Sequence, residues 1–131
     1  MNKFNNKVTF VVCTCKRLDC FFGSMDNFFK NCLDHYLIKE FIVIDDNSSN
    51  EDRQKMKEKY PNFRFILKGP EEKGHSKSLN MIPDLVKTEY FLNWEDDTEF
   101  LNPKNYITDS IKILESHNAN KLNIKHYLFF N

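Results

Sequence analysis

No apolar run in this chain approaches the roughly 20 residues that a membrane-spanning helix needs. Residues 1–7 carry no apolar core of the kind a secretory leader has, so the expected location is cytoplasmic. Charge of one sign is also missing: 19 Lys and Arg stand against 19 Asp and Glu. The one stretch rich in cations, residues 53–59, is broken by Met56 and Glu58. No nucleic-acid partner is therefore expected. There is no Gly-x-x-x-x-Gly-Lys-Ser/Thr loop, which argues against a P-loop nucleotidase, and no Gly-x-Gly-x-x-Gly after the first strand-like run, which disfavours a dinucleotide fold. Cys13, Cys15, Cys20 and Cys32 match no zinc template with paired ligands and have no histidine nearby in sequence. They read as buried, inert thiols.

What is present is core-forming material. Hydrophobic residues make up 40% and aromatics 15%, including 13 Phe, which excludes wholesale disorder. A length of 131 residues suits one domain, taken here as residues 1–131. Residues 8–13 form a nearly continuous β-branched apolar run, as in strands buried on both faces of a parallel sheet. Further strands are expected at 41–44, 63–67, 90–94 and 122–130. Helical spacing of apolar residues marks 19–33. Ser48 with Glu51 is a capping-box pattern for a helix over about 49–60, stopped by Pro61. A short helix is expected from Ser76, ended or kinked by Pro83. Asn102-Pro103 reads as an N-cap followed by proline at the first helical position, with Ile107, Ile111 and Leu114 on the buried stripe. Strands alternating with helices indicate an α/β fold with a largely parallel sheet.

Two strand-like runs end abruptly in acids. Tyr90-Phe91-Leu92-Asn93-Trp94 runs into Glu95-Asp96-Asp97, and Phe41-Ile42-Val43-Ile44 runs into Asp45-Asp46. Adjacent like charges repel, so such a cluster is kept where a cation or solvent meets it. In open α/β sheets the carboxyl ends of strands are where ligands bind. Oxygen-only donors suit hard ions such as Mg²⁺, Mn²⁺ or Ca²⁺, of which Mg²⁺ prefers one or two carboxylates completed by substrate phosphates. Strand alternation sets Glu95 and Asp97 to one face and Asp96 to the other. The simpler alternative is that these acids are solvated loop residues or helix caps. His75 reads as a surface-loop residue, Trp94 as core and Asp19 as a first-turn acid of a helix.

In this order along the chain, the landmarks resemble the N-terminal, nucleotide-sugar-binding half of inverting family-2 glycosyltransferases with the GT-A fold. Val8 to Cys13 with Thr14-Cys15-Lys16-Arg17 resembles the first strand and its Thr-Tyr-Asn-Arg loop. Residues 41–48 resemble the strand ending in Asp-Asp-x-Ser, residues 74–80 the Gly-containing loop and Asn-bearing helix, and residues 90–97 the strand carrying DXD-type acids. The resemblance covers about residues 7–115. It implies a three-layer α/β/α sandwich, Rossmann-like and truncated relative to full-length members. The implied donor is a nucleoside diphosphate sugar, UDP-linked, used with Mn²⁺ or Mg²⁺. It also implies that Asp46 accepts a hydrogen bond from the base, Asp96 contacts the ribose and Asp97 ligates the metal, with Glu95 at the first acid position. Thr14 and Arg17 then line the base pocket, Lys77 supplies charge to the phosphates and Asn80 is the helix asparagine.

Three positions depart from the family pattern. Cys15 stands where a stacking Tyr is usual, and stacking on an aromatic contributes about 1–3 kcal/mol per base in single-strand binding. Leu79 stands where an Arg often precedes the asparagine, and Ile82 where a small residue is usual. The family's second half, with the acceptor site and the catalytic carboxylate, has no counterpart: no Asp or Glu follows Glu115. The catalytic base is unassigned, and the acceptor, whether glycan, protein or lipid, is unknown. The chain then reads as a fragment, a stand-alone minimal domain or a half that depends on a partner domain. A non-catalytic nucleotide-sugar-binding module of the same fold is the alternative, and a metal-dependent nucleotidyltransferase a weaker third.

Overall fold

A computed structural model describes residues 2–122. The expected strand at 122–130 thus falls almost wholly outside the described residues. Four strands alternate with four helices: β1 (Val8–Thr14), α1 (Leu18–Asn31), β2 (Ile38–Asp45), α2 (Asn50–Lys59), β3 (Arg64–Leu67), α3 (His75–Leu85), β4 (Tyr90–Glu95) and α4 (Tyr106–Ser116). All described strand pairs are parallel, in the order β3-β2-β1-β4. The expected α/β sheet is therefore present. β1, β2 and β4 reach beyond their expected runs where a neighbour pairs with them, β2 beginning at Ile38 opposite Val8, whereas β3 starts one residue later than expected, at Arg64.

Alternation along β1 sorts the core into two layers. Val8, Phe10 and Val12 face one way, packed with Phe21, Met25 and Phe28 of α1, Met56 of α2 and Ile107 and Ile111 of α4. Val11 faces the other way with Ile42, Ile44 and Ile82 of α3. The chain steps from β1 to β2 to β3 in one direction and then returns past β1 to β4. Crossovers of one hand then require the returning helix to lie on the opposite face, which is where α3 packs. The result is three layers, helix–sheet–helix. Aromatic rings fill the larger layer: Phe10 lies 4.8 Å from Phe28, and Phe28 5.1 Å from Trp94.

Several local expectations shift by a few residues. The α2 cap is Ser49, whose side chain accepts from the Asp52 N–H at 3.1 Å, and not Ser48. A cap of this kind contributes about 1 kcal/mol. Ser48 instead accepts from the Lys16 N–H, joining two loops. Asn102-Pro103 does not start α4. The helix begins a turn later, and the buried Asp34 carboxylate, reaching from beyond α1, takes the N–H groups of Ile107 and Thr108. A remote carboxylate that satisfies two orphan donors outweighs the local proline signal. Pro83 lies inside α3, which runs on to Leu85. The thiols are not uniformly buried: Cys32 is, Cys13 and Cys15 are half-buried, and Cys20 is exposed on α1. Among the described residues no helix is long and apolar enough to cross a membrane.

Candidate functional site

The strand order reverses between β1 and β4, and in open α/β sheets ligands bind beyond the carboxyl ends of the strands at such a point. A cleft of about 450 Å³ occupies that position. Its walls include Thr14, Cys15 and Arg17 after β1, Asp46 after β2, His75, Ser78 and Leu79 on α3, and Trp94 to Asp97 at the end of β4. Both acid clusters singled out in the sequence thus reach one cavity.

The loops that form the rim are locked together. The Asp46 N–H donates to the Thr14 carbonyl at 2.8 Å, the Cys15 thiol donates to the Asp46 carbonyl, and the Lys16 N–H reaches Ser48. Lys16 and Asn47 hold positive φ values of 54° and 70°. Asparagine tolerates the left-handed region, whereas for lysine it costs on the order of 1–3 kcal/mol. The inter-loop bonds hold that strain in place where the cleft is built.

The three acids at the end of β4 differ in exposure. Asp96 is buried, while Glu95 and Asp97 are exposed. Asp96 accepts from the Thr14 hydroxyl at 2.9 Å and faces an Arg17 amine at 3.4 Å. The second Arg17 amine lies 3.2 Å from Asp97, so one guanidinium spans both carboxylates. Burial pushes the Asp96 carboxyl above its ordinary range, against the lowering effects of Thr14 and Arg17, and the neighbouring Asp97 charge adds to the rise.

Asp46 is set differently. Both its oxygens lie within hydrogen-bond distance of the Gly74 N–H, at 3.0 and 3.2 Å, and Lys68 Nζ is 3.0 Å from Oδ1. Burial opposes ionisation here too, but the Gly74 N–H and the Lys68 ammonium outweigh it and hold the carboxyl below its usual range. Such a group contributes stability above its unfolded range that is lost as pH falls through its folded value. Gly74 has φ of +130°, a conformation that L side chains rarely adopt, and it aims its N–H at Asp46. Burial pushes the Cys13 thiol up to about 11, which keeps it protonated.

Thr14, Arg17, Asp46, Glu95, Asp96 and Asp97 are brought together in the cleft. Lys77 and Asn80 are not in its wall: both are exposed on α3, and Lys77 Nζ donates to the Glu71 carbonyl at 2.9 Å. Trp94 serves both expectations weighed for it, buried in the core with its indole N–H on Ser24 and also touching the cleft. His75 is exposed, but it is the first residue of α3 and lines the cleft. Asp19 is a first-turn acid of α1. Sequence reasoning missed Lys68, which directly follows the run 63–67 and reads as the start of a polar loop. The missed signal was a cation placed next to the last strand residue, where β3 delivers it inward.

The model of glycosyl transferase family 2 matches residues 9–126. The chain belongs to that family. Among solved structures, Staphylococcus aureus TarS residues 1–349 superpose with a TM-score of 0.68 at 20% identity, over 86% of this chain and 33% of that one. The Pyrobaculum calidifontis mannosyltransferase PcManGT, solved with GDP-Man and Mn²⁺, gives 0.64 at 18% identity, again over 86% and 33%. TarS 1–349 in complex with UDP gives 0.61 at 18% identity, over 86% and 33%. These likenesses show the GT-A fold. The chain spans about one third of the length of these relatives. Among curated proteins, none matches the chain.

Proposed function

We propose that this family-2 chain is the donor-binding part of a glycosyltransferase that uses a nucleoside diphosphate sugar, UDP-linked, together with a divalent metal. The single observation that carries this is the convergence of Asp46, Asp96 and Asp97 on one cleft at the β1/β4 switch point. Solved relatives bind UDP and GDP-mannose, which supports a nucleotide ligand of this kind. In this reading Asp46 accepts from the base, Asp96 contacts the ribose, and Thr14 and Arg17 line the nucleotide pocket. Lys77 and Asn80, exposed on α3, meet the phosphate and sugar end when a donor fills the site.

The donor set suits a hard cation. Glu95 and Asp97 are exposed carboxylates that line the cleft. That is a half-site of the kind Mg²⁺ or Mn²⁺ completes with a diphosphate. When bound, the ion neutralises charge on the leaving diphosphate. The chain's own residues orient the donor and, through Arg17, add positive charge beside the same acids. The reaction is an inverting single displacement, in which an acceptor hydroxyl attacks the anomeric carbon and the nucleoside diphosphate leaves. Asp46, Asp96 and Asp97 are committed to ligand and cation, so the acceptor's proton goes to a base other than these three. A second reading is a partner-dependent or non-catalytic nucleotide-sugar module.

Thermal unfolding against a panel of nucleoside diphosphates, with and without Mn²⁺, tests the donor reading. A nucleotide at 100 times its dissociation constant adds about 2.7 kcal/mol, a rise of several degrees for a domain of this size. The expected result is a manganese-enhanced rise with one nucleotide, UDP first. A flat response across the panel contradicts the donor reading, and a rise without sugar transfer selects the binding-module reading.

A further inference from the structure

Lys68 is the one buried cation among the described residues, with 1% of its surface exposed. Removing an ammonium from water costs several kcal/mol unless its donors are matched. Here all three are. Nζ lies 3.0 Å from Asp46 Oδ1, 2.9 Å from the Gly74 carbonyl oxygen and 2.8 Å from Ser78 Oγ. The Lys68 backbone is itself fixed: its N–H donates to the Asp45 carbonyl at 3.1 Å, and its carbonyl accepts from Arg53 at 2.7 Å. One side chain therefore ties the end of β2, the residue after β3 and the first turn of α3. Ser78 and Asp46 both line the cleft, whereas Lys68 does not.

A buried lysine is a poor device for stability alone, because an apolar side chain of similar volume avoids the desolvation cost. It is an effective device for holding a carboxylate in one orientation and one charge state. The geometry points to Lys68 as the positioning residue for the nucleotide-reading carboxylate Asp46, an inference that rests on the donor-site reading above. Lys68 fixes the Asp46 rotamer from behind, and through the Gly74 carbonyl it also holds the residue whose N–H binds Asp46. Lys68 acts on the nucleotide only through Asp46.

A double-mutant cycle on the full chain tests this, with UDP and Mn²⁺ titrated calorimetrically into wild type, Lys68→Met, Asp46→Asn and the double variant. Lys68→Met is expected to weaken UDP binding by at least about ten-fold, the size of one lost charge-assisted contact. In the Asp46→Asn background the same substitution is expected to add less than two-fold. Losses that multiply, or a Lys68→Met variant that binds like wild type, overturn the inference while leaving the donor site standing. Absence of UDP binding by the wild type instead removes the donor reading, and this inference with it. Should Lys68→Met not fold, ¹⁵N spectra of the wild type decide: UDP is expected to shift the protected Lys68 ammonium signal and inorganic pyrophosphate to leave it in place. A signal unmoved by saturating UDP, or moved equally by pyrophosphate, overturns it.

Discussion

Asp97→Ala is expected to abolish the part of nucleotide binding that depends on manganese, while leaving the chain folded. The carboxylate is 55% exposed and its ion pair is with an Arg17 side chain that is 47% exposed. Surface pairs of this kind contribute about 0–1 kcal/mol, so the melting temperature without ligand should move little. Arg17 also keeps its second partner, Asp96, at 3.4 Å. In the proposed reading, the substitution removes one of two exposed carboxylates that share a hard cation with a diphosphate. Without it, the rise in melting temperature that manganese adds in the presence of nucleotide falls to zero, and the nucleotide alone binds as before. A manganese-dependent rise equal to that of the wild type means that Asp97 does not hold the metal. A loss of nucleotide binding with and without manganese assigns Asp97 to the nucleotide itself.

The largest expected effect on stability lies beneath the site. Asp45 is fully buried, and Arg53 Nε donates to its Oδ2 at 2.6 Å. The Ser48 N–H donates to the same oxygen at 3.0 Å, while Oδ1 has no hydrogen-bond partner among the described residues. Arg53 further supports the Lys68 carbonyl. Arg53→Ala leaves a buried carboxylate without its counter-charge, which costs about 3–5 kcal/mol. For a domain of this size that is a fall on the order of 10–20 °C in melting temperature. Asp45→Asn in the Arg53→Ala background should recover part of the loss, because it removes the uncompensated charge. A loss below about 1 kcal/mol, read from denaturant midpoints at unchanged slope, contradicts this view of the pair.

Those two acids also show how far the sequence reaches. Asp45 and Asp46 are adjacent and look alike, yet one is a structural anchor for Arg53 and the other opens to the cleft. Alternation along a strand says that they diverge, but not which partners await each. The β-branched and aromatic runs identify β1 and β2 because burial on both faces of a parallel sheet leaves a continuous apolar signature, whereas the edge strands β3 and β4 keep apolar runs although much of each is exposed. Helix starts are less legible, because the deciding groups come from elsewhere. Asp34 caps α4 from more than 70 positions away in sequence, and Ser48 is drawn off its expected capping role by the Lys16 N–H. The gathering of Thr14, Asp46 and Asp96 is legible because each ends a recognisable strand. Lys68 is not, because a lysine beside Gly69 and Pro70 carries the composition of an exposed loop. Its burial follows only once β2, β3 and α3 are set side by side.

The most direct measurement is amide NMR of the ¹⁵N-labelled chain titrated with UDP and Mg²⁺. Perturbations concentrated at Thr14, Cys15, Asp46, Gly74 and Glu95 to Asp97 are the expected result, with the magnesium-dependent part confined to the last three. No perturbation at saturating UDP, or perturbation only in the apolar groove of Ile82, Pro83, Val86 and Phe91, contradicts a donor site at the β1/β4 switch point.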